Sequence, residues 1–255
     1  MDVSPRHAWS VWRRNATLYR RTWKFNILPN FFEPVFYLTA IGIGVGAYIS
    51  EIGGMRYIEF LTPGLLAVAA MHGASFEVTY NVYVRIHFEK AYDGMLTTPV
   101  GPDDILIGEL LWSMTRSLFY GGGFFIVAAL FGLVPFPGGL AALVVIPLAG
   151  LLFAAIGLAF TMRIPFIDLF SFYFTLFLTP LFLFSDVFFP IRERLPGAWL
   201  IVAEALPLLH PVRLARSAFL GEWGWVALWD VGYILAVSAV LLEFARRGVR
   251  KRMMS

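Results

Sequence analysis

The chain has 255 residues, of which 59% are hydrophobic and 15% charged, with 25 phenylalanines and no cysteine. Soluble domains carry about a quarter charged residues, so a mean hydropathy of +0.73 excludes a soluble globular enzyme; the missing cysteines exclude a disulfide-stapled domain and a thiolate metal site. The net charge of +3 comes from 20 basic residues, only Lys24, Lys90 and Lys251 being lysines, clustered between apolar runs as in a multi-span membrane protein and not as in a nucleic-acid-binding one.

No apolar run follows Met1-Asp2 directly, so no cleavable signal peptide is expected. Residues 4–26 predict an amphipathic cytoplasmic helix, with Ser4 as N-cap and Pro5 in its first turn. Trp9, Trp12, Ala16, Tyr19 and Trp23 recur at helical spacing on one face, and Arg13, Arg14, Arg20, Arg21 and Lys24 take the others. Such a helix is expected at the inner membrane interface, its aromatics at headgroup level and its arginines on anionic lipid. A simple anchor and topology signal is the favoured role, ahead of an element that slides during transport.

Six stretches are long and apolar enough to be transmembrane helices: 27–50, 60–82, 105–131, 139–162, 167–188 and 225–245. The second carries Glu77, followed by Thr79, Tyr80 and Asn81. The third carries Arg116 on the same face as Glu109 and Ser113. Antiparallel neighbours can pair Glu77 with Arg116, and a paired charge is far cheaper in lipid than a lone one. A buried brace is favoured over a polar foothold for a sugar or headgroup.

The cytoplasmic loop at 83–104 predicts a short helix over 85–97, with Arg85, Glu89, Lys90 and Asp93 beside Phe88, Tyr92 and Met95. Gly94 is its weak point. Large apolar side chains mixed with charges suit a docking surface better than a solvated connector. Pro99 to Pro102 then turns the chain, and Asp103 or Asp104 is placed to cap the third span.

After the fifth span, residues 189–222 hold two apolar pieces, at 197–206 and 211–220, which begin after Pro196 and at Pro211. Each rises only about 15 Å as a helix, half a span. Read as one span they would bury Glu204, His210, Arg213 and Arg216. A re-entrant hairpin or interfacial pair on the outer side fits better. With both termini inside, fourteen basic residues face the cytoplasm, five lie outside and Arg116 sits in a span. A seventh span would export the basic tail at 246–255, against the charge rule.

There is no G-x-x-x-x-G-K-[ST], no H-E-x-x-H and no G-x-S-x-G. His7 and His87 are expected on the cytoplasmic side and His210 outside, so no histidine pair is placed to share a metal. The chain therefore reads as no enzyme, with no cofactor or metal of its own. If solute moves through it, the energy comes from an ion gradient or a partner. Asp168 and Asp186 lie at span ends, within reach of water, which weighs against proton coupling through them.

Three stretches resemble the type-2 ATP-binding-cassette export permeases. GMLTTPVGPDDILIGEL is similar to that family's passage from its coupling helix into the third span. TPLFLFSDVFFPIRERLPGAWLIVAEALPLLHPVRLAR resembles its fifth span and following corner. NILPNFFEPVFYLTAIGIGVGAYI with YIEFLTPGLLAVAAM, taken with the second stretch, resembles the branch of nodulation-factor (lipo-chitooligosaccharide) export permeases.

The resemblance implies an all-α polytopic fold with an interfacial helix, six spans and a re-entrant hairpin, in a bacterial inner membrane with both termini cytoplasmic. It implies a homodimer, each subunit held to a cytoplasmic ATPase that binds ATP and Mg in its own chain. Glu89, Tyr92 and Asp93 would sit in the coupling helix, and Phe189, Pro190, Pro207 and Pro211 would shape an outer gate. The substrate would be amphipathic, such as a lipo-oligosaccharide, another glycolipid or an apolar drug. An ion-coupled exporter without an ATPase is the alternative.

Overall fold

The first helix does not stop where lipid is expected to begin. In the computed structural model, which describes residues 3–49, 51–52, 54–191 and 197–253, α1 runs unbroken over Pro5–Thr39 and continues as a π-helical segment, Ala40–Val45. Its 35 residues give a rod of roughly 52 Å, well beyond the ~30 Å of a hydrocarbon core. The expected division into an interfacial helix at 4–26 and a span from 27 is therefore replaced by one rod. No glycine or proline lies between Trp23 and Leu28 to turn the chain.

A two-stranded antiparallel ribbon, β1 (Glu51–Ile52) and β2 (Met55–Arg56), leads into α2 (Tyr57–Phe76). A π-helical segment, Glu77–Asn81, joins α2 to α3 (Val82–His87). The short helix expected over 85–97 is interrupted: the chain turns at Phe88–Lys90, where Lys90 takes φ 48°, and α4 occupies only Ala91–Leu96. Gly94, the expected weak point, lies inside α4, and the break falls before it.

α5 (Pro102–Leu130) and α6 (Ala142–Thr161) follow, the latter entered through a helical turn at Gly138–Ala141. α7 spans Ile167–Phe184 and includes a π-helical segment at Tyr173–Leu178. The two short helices are α8 (Gly197–Glu204) and α9 (Leu209–Leu220), so Pro211 falls in the first turn of α9, where its missing N–H is harmless. Arg192, Arg194 and Pro196 lie outside the described residues. α10 (Trp225–Met253) carries the expected sixth span and the basic tail as one helix.

Among the described residues, three helices are long and apolar enough to cross a membrane: Gly138–Thr161, Ile167–Phe184 and Trp225–Arg252. The most apolar stretch of the first is 61% buried and those of the other two only 22%. α6 is thus enclosed, packed by α2, α5, α9 and α10, while α7 and α10 present apolar faces outward. Phe172, Leu176 and Phe184 are exposed on α7, as a lipid-facing or chain-facing surface requires.

α5 is the shared neighbour of α1, α2, α6 and α10. Small residues let these backbones approach closely. A Cβ at Gly108 would lie 2.5 Å from Val11 Cβ and 2.8 Å from the Ala8 carbonyl on α1. Gly108→Leu is accordingly expected to push α1 off α5 and lower stability by about 1–3 kcal/mol. Thermal unfolding in detergent checks this, and an unchanged midpoint would show that the α1–α5 seam contributes little.

Candidate functional site

Glu77, Asn81 and Arg85 stand at intervals of four along the rod made by α2, its π segment and α3, and their side chains converge. Arg85 bridges two carboxylates, with Nη2 2.6 Å from Glu77 Oε1 and Nη1 2.7 Å from Glu109 Oε2 on α5. Arg116, two turns further along α5, brings Nε to 3.3 Å from Glu77 Oε2. Asn81 donates to Glu77 at 2.8 Å, and Asn15 of α1 donates to Glu109 at 3.0 Å. The Arg116 guanidinium lies 4.4 Å from the Tyr19 ring centre, adding a cation–π contact from α1.

Two arginines and two glutamates balance, and all four are buried or nearly so. The two carboxylates, one on either side, offset the cost of burying the Arg85 guanidinium. Tyr92 is buried against the same cluster, and desolvation followed by the Glu109 charge holds its phenol well above the ordinary range. Glu77 and Arg116 are therefore two members of a larger network. Arg85, which position alone puts in the docking loop, faces inward with them.

The loop residues divide into two sets. Phe88, Glu89, Lys90 and Asp93 face outward, Phe88 being 68% exposed, whereas Tyr92 is buried and Met95 half-buried. Glu89 lies 3.6 Å from Arg14 of α1, an exposed pair that contributes little to stability. The outward set sits directly on the root clamped by Arg85, because α3 ends at His87 and the chain turns at Phe88–Lys90.

On α1, the packed face is Ala8, Val11 and Asn15, beside the aromatic face and not on it. The Trp12 indole N–H donates to Thr115 Oγ1 at 3.0 Å, and Tyr19 stacks on Phe119 at 5.4 Å. Trp9 and Trp23 remain exposed, Trp9 stacking on Trp12 at 4.2 Å. Two of the four aromatics thus grip α5 and two face outward. Asp104 does cap α5, accepting from Gly101 N at 2.9 Å, and also accepts from Ser4 N at 2.7 Å. Asp103 instead receives Arg250 of α10 at 2.7 Å.

A second polar cluster ties α8, α9 and α10 together. Asp230 of α10 is fully buried, 2.7 Å from His210 Nδ1 and 2.7 Å from Arg213 Nε. Arg213 also donates to Glu204 at 2.7 Å, and Tyr233 stacks on His210 at 3.6 Å. Arg216 pairs with Asp186 and lies 4.1 Å over the Phe60 ring. Arg213 and Arg216 are therefore not free outer charges, and Asp186 is not a free carboxylate. Of the expected gate residues, Phe189 is exposed, Pro190 and Pro207 are half-buried and Pro211 is buried. Among the described residues, no group of three or more His, Asp or Glu could hold a metal ion.

The sequence reading missed Glu109 as a partner of Arg85, Asp230 as a charge within the apolar run of α10, and Glu33 within that of α1. The last two were legible as single acidic residues in otherwise apolar runs.

Long apolar helices tied together by buried ion pairs define a polytopic membrane protein. The profile of the family described as "ABC-2 type transporter" matches residues 6–220, and the chain belongs to that family. It is 37% identical over 213 residues to "Nodulation protein J" of Rhizobium leguminosarum bv. viciae, covering 84% of this chain and 82% of that one. Against the protein of the same name from Sinorhizobium fredii it is 34% identical over 253 residues, covering 98% and 96%. The "Inner membrane transport permease YadH" of Escherichia coli K12 is 25% identical over 214 residues, covering 83% of this chain and 82% of that one.

Proposed function

We propose that this chain is the membrane subunit of an ATP-driven exporter that moves an amphipathic substrate, a lipo-oligosaccharide or other glycolipid, out of the cytoplasm or inner leaflet. In this reading α1, α2 with α3, α5, α6, α7 and α10 are six spans in a bacterial inner membrane, with both termini cytoplasmic and α8 and α9 as the outer re-entrant pair. Two copies form the path, and each engages one cytoplasmic ATPase that holds ATP and Mg. The π-helical segments at Ala40–Val45, Glu77–Asn81 and Tyr173–Leu178 fall in the first, second and fifth of these spans. π segments recur at functional sites because they loosen the hydrogen-bond ladder.

The observation that carries the reading is the loop. Phe88, Glu89, Lys90 and Asp93 project from a root that Arg85 fastens to α2 and α5. A push on α4 from a closing ATPase reaches both helices through one guanidinium. Mild-detergent purification followed by mass spectrometry tests this, with a stoichiometric P-loop ATPase as the expected companion. Asp93→Lys is expected to abolish transport while leaving protein in the membrane, and unchanged transport would remove the loop as the coupling element.

Glu33 favours a second reading, an ion-coupled exporter. It is an acidic residue on an outward face of α1, and among the described residues no salt bridge reaches it. Such a carrier would transport in vesicles free of any ATPase and would lose activity with Glu33→Gln. Glu77, held by two arginines, is poorly suited to that proton transfer.

A further inference from the structure

The arginines held inside the bundle, Arg85, Arg116, Arg213 and Arg216, each meet a carboxylate. A group of cations where α6 meets the end of α10 does not. Arg163, just past α6, donates to the carbonyls of Ala159 at 2.8 Å and of Phe244 on α10 at 3.3 Å. Arg252 of α10 reaches back to the carbonyls of Thr161 at 3.0 Å and Ile164 at 2.9 Å. These bonds satisfy end carbonyls of α6 and fix both guanidiniums, yet leave most of their N–H donors for another acceptor. Among the described residues no salt bridge reaches Arg163, Lys251 or Arg252. Arg247 meets only Glu243, in an exposed pair that contributes little.

Arg163, Arg247, Lys251 and Arg252 line one open groove of about 520 Å³, and no acidic residue lines it with them. Its base is close-packed, since a Cβ on Gly248 would lie 2.8 Å from Met162 Cβ. We propose that this groove binds the phosphate of an anionic phospholipid, held as a resident lipid and not as cargo. Guanidiniums offer paired N–H donors that match phosphate oxygens. The depth also fits: the apolar stretch of α6 ends at Thr161, and on α10 the basic run begins at Arg246. Cations at such ends stand at the level of lipid phosphates. Apolar surface flanks them. Phe244 is exposed with the Arg163 guanidinium 5.3 Å from its ring centre, and Phe166 is exposed next to Pro165 of the groove. Acyl chains would cover that surface, whereas a soluble anion would leave it bare. A phosphocholine headgroup brings its own cation into a positive groove and is disfavoured there.

Binding is measured on the permease alone, so its outcome is separate from that of the ATP-driven reading. The full chain in mild detergent is titrated with phosphatidylglycerol or phosphatidylcholine, and native mass spectrometry counts the lipids retained. One phosphatidylglycerol per chain is expected to be held more tightly than any phosphatidylcholine. Arg247→Gln with Lys251→Gln should weaken it about thirtyfold, each cation beside an anionic lipid being worth a factor of about five. Both positions are exposed, so the variant should melt like the parent without lipid. Arg20→Gln with Lys24→Gln removes the same charge from exposed positions of α1 and should leave the affinity unchanged. Equal affinity for the two lipids, or equal loss in both double variants, would reduce the groove to a generally basic surface and overturn the site. Displacement of the lipid by an equal concentration of inorganic phosphate would overturn the lipid assignment in favour of a soluble anion. A groove variant that keeps its lipid but loses a co-purifying ATPase would overturn it in favour of an acidic protein surface.

Discussion

Arg85→Met is expected to cost about 3–5 kcal/mol of stability, a drop on the order of 10 °C in melting temperature for a chain of this size. The guanidinium holds Glu77 at 2.6 Å and Glu109 at 2.7 Å, and both carboxylates are almost fully buried. Removing it leaves Glu77 facing Arg116 and Glu109 with Asn15 but no cation, a net negative charge in a poorly solvated place. The cost comes from the stranded partners and not from the value of the bond itself. Neutralising one of them tests that origin: Arg85→Met with Glu109→Gln should recover much of the lost stability. Transport should not recover, because the loop root is then no longer fastened to α5. If the single substitution leaves both melting temperature and transport unchanged, the network neither braces the fold nor links the loop to the spans.

The helical architecture was largely legible before any coordinates, because runs of apolar residues and their proline and glycine punctuation set where helices form. α6, α7 and α10 fall where hydropathy put them, and two short helices, α8 and α9, lie between α7 and α10 as the two short apolar pieces implied. Contacts were less legible, for a physical reason. A hydropathy window assigns a side chain by its place along the chain, whereas a long arginine reaches back by more than a helical turn. Arg85 follows the second apolar run and so read as part of the partner-facing docking loop, yet its head lies against Glu77, eight residues earlier. Asp230 escaped notice because one acid does not spoil an apolar average. Its partners, His210 and Arg213, lie on a different helix. The continuity of α1 was hidden for the opposite reason: its charged and apolar halves look like two elements, and only packing against α5 along the N-terminal half makes them one.

Asp230→Leu is expected to be the most damaging change in the cluster joining α8, α9 and α10, with a loss of about 3–5 kcal/mol. Asp230 is fully buried and is shared by His210 and Arg213. Without it Arg213 keeps only Glu204, whose side chain is a third exposed, and His210 loses the partner of its Nδ1. The cluster also decides where α9 sits on α10. α9 carries Pro211 between His210 and Arg213, so both polar anchors flank a buried proline that the resemblance implies for a gate. Replacing the buried charges together, Asp230→Leu with Arg213→Met, is expected to restore most of the stability, because an apolar pair of similar volume avoids desolvating two ions. Transport separates the two roles the cluster can have. A pair that is only a brace would let the double variant transport like the parent. The geometry favours the other outcome, reduced transport in a stable protein, because hydrogen-bonded charges fix one arrangement of α9 on α10 and greasy substitutes permit several. Stability restored along with full transport would leave the Asp230 cluster with no part in gating.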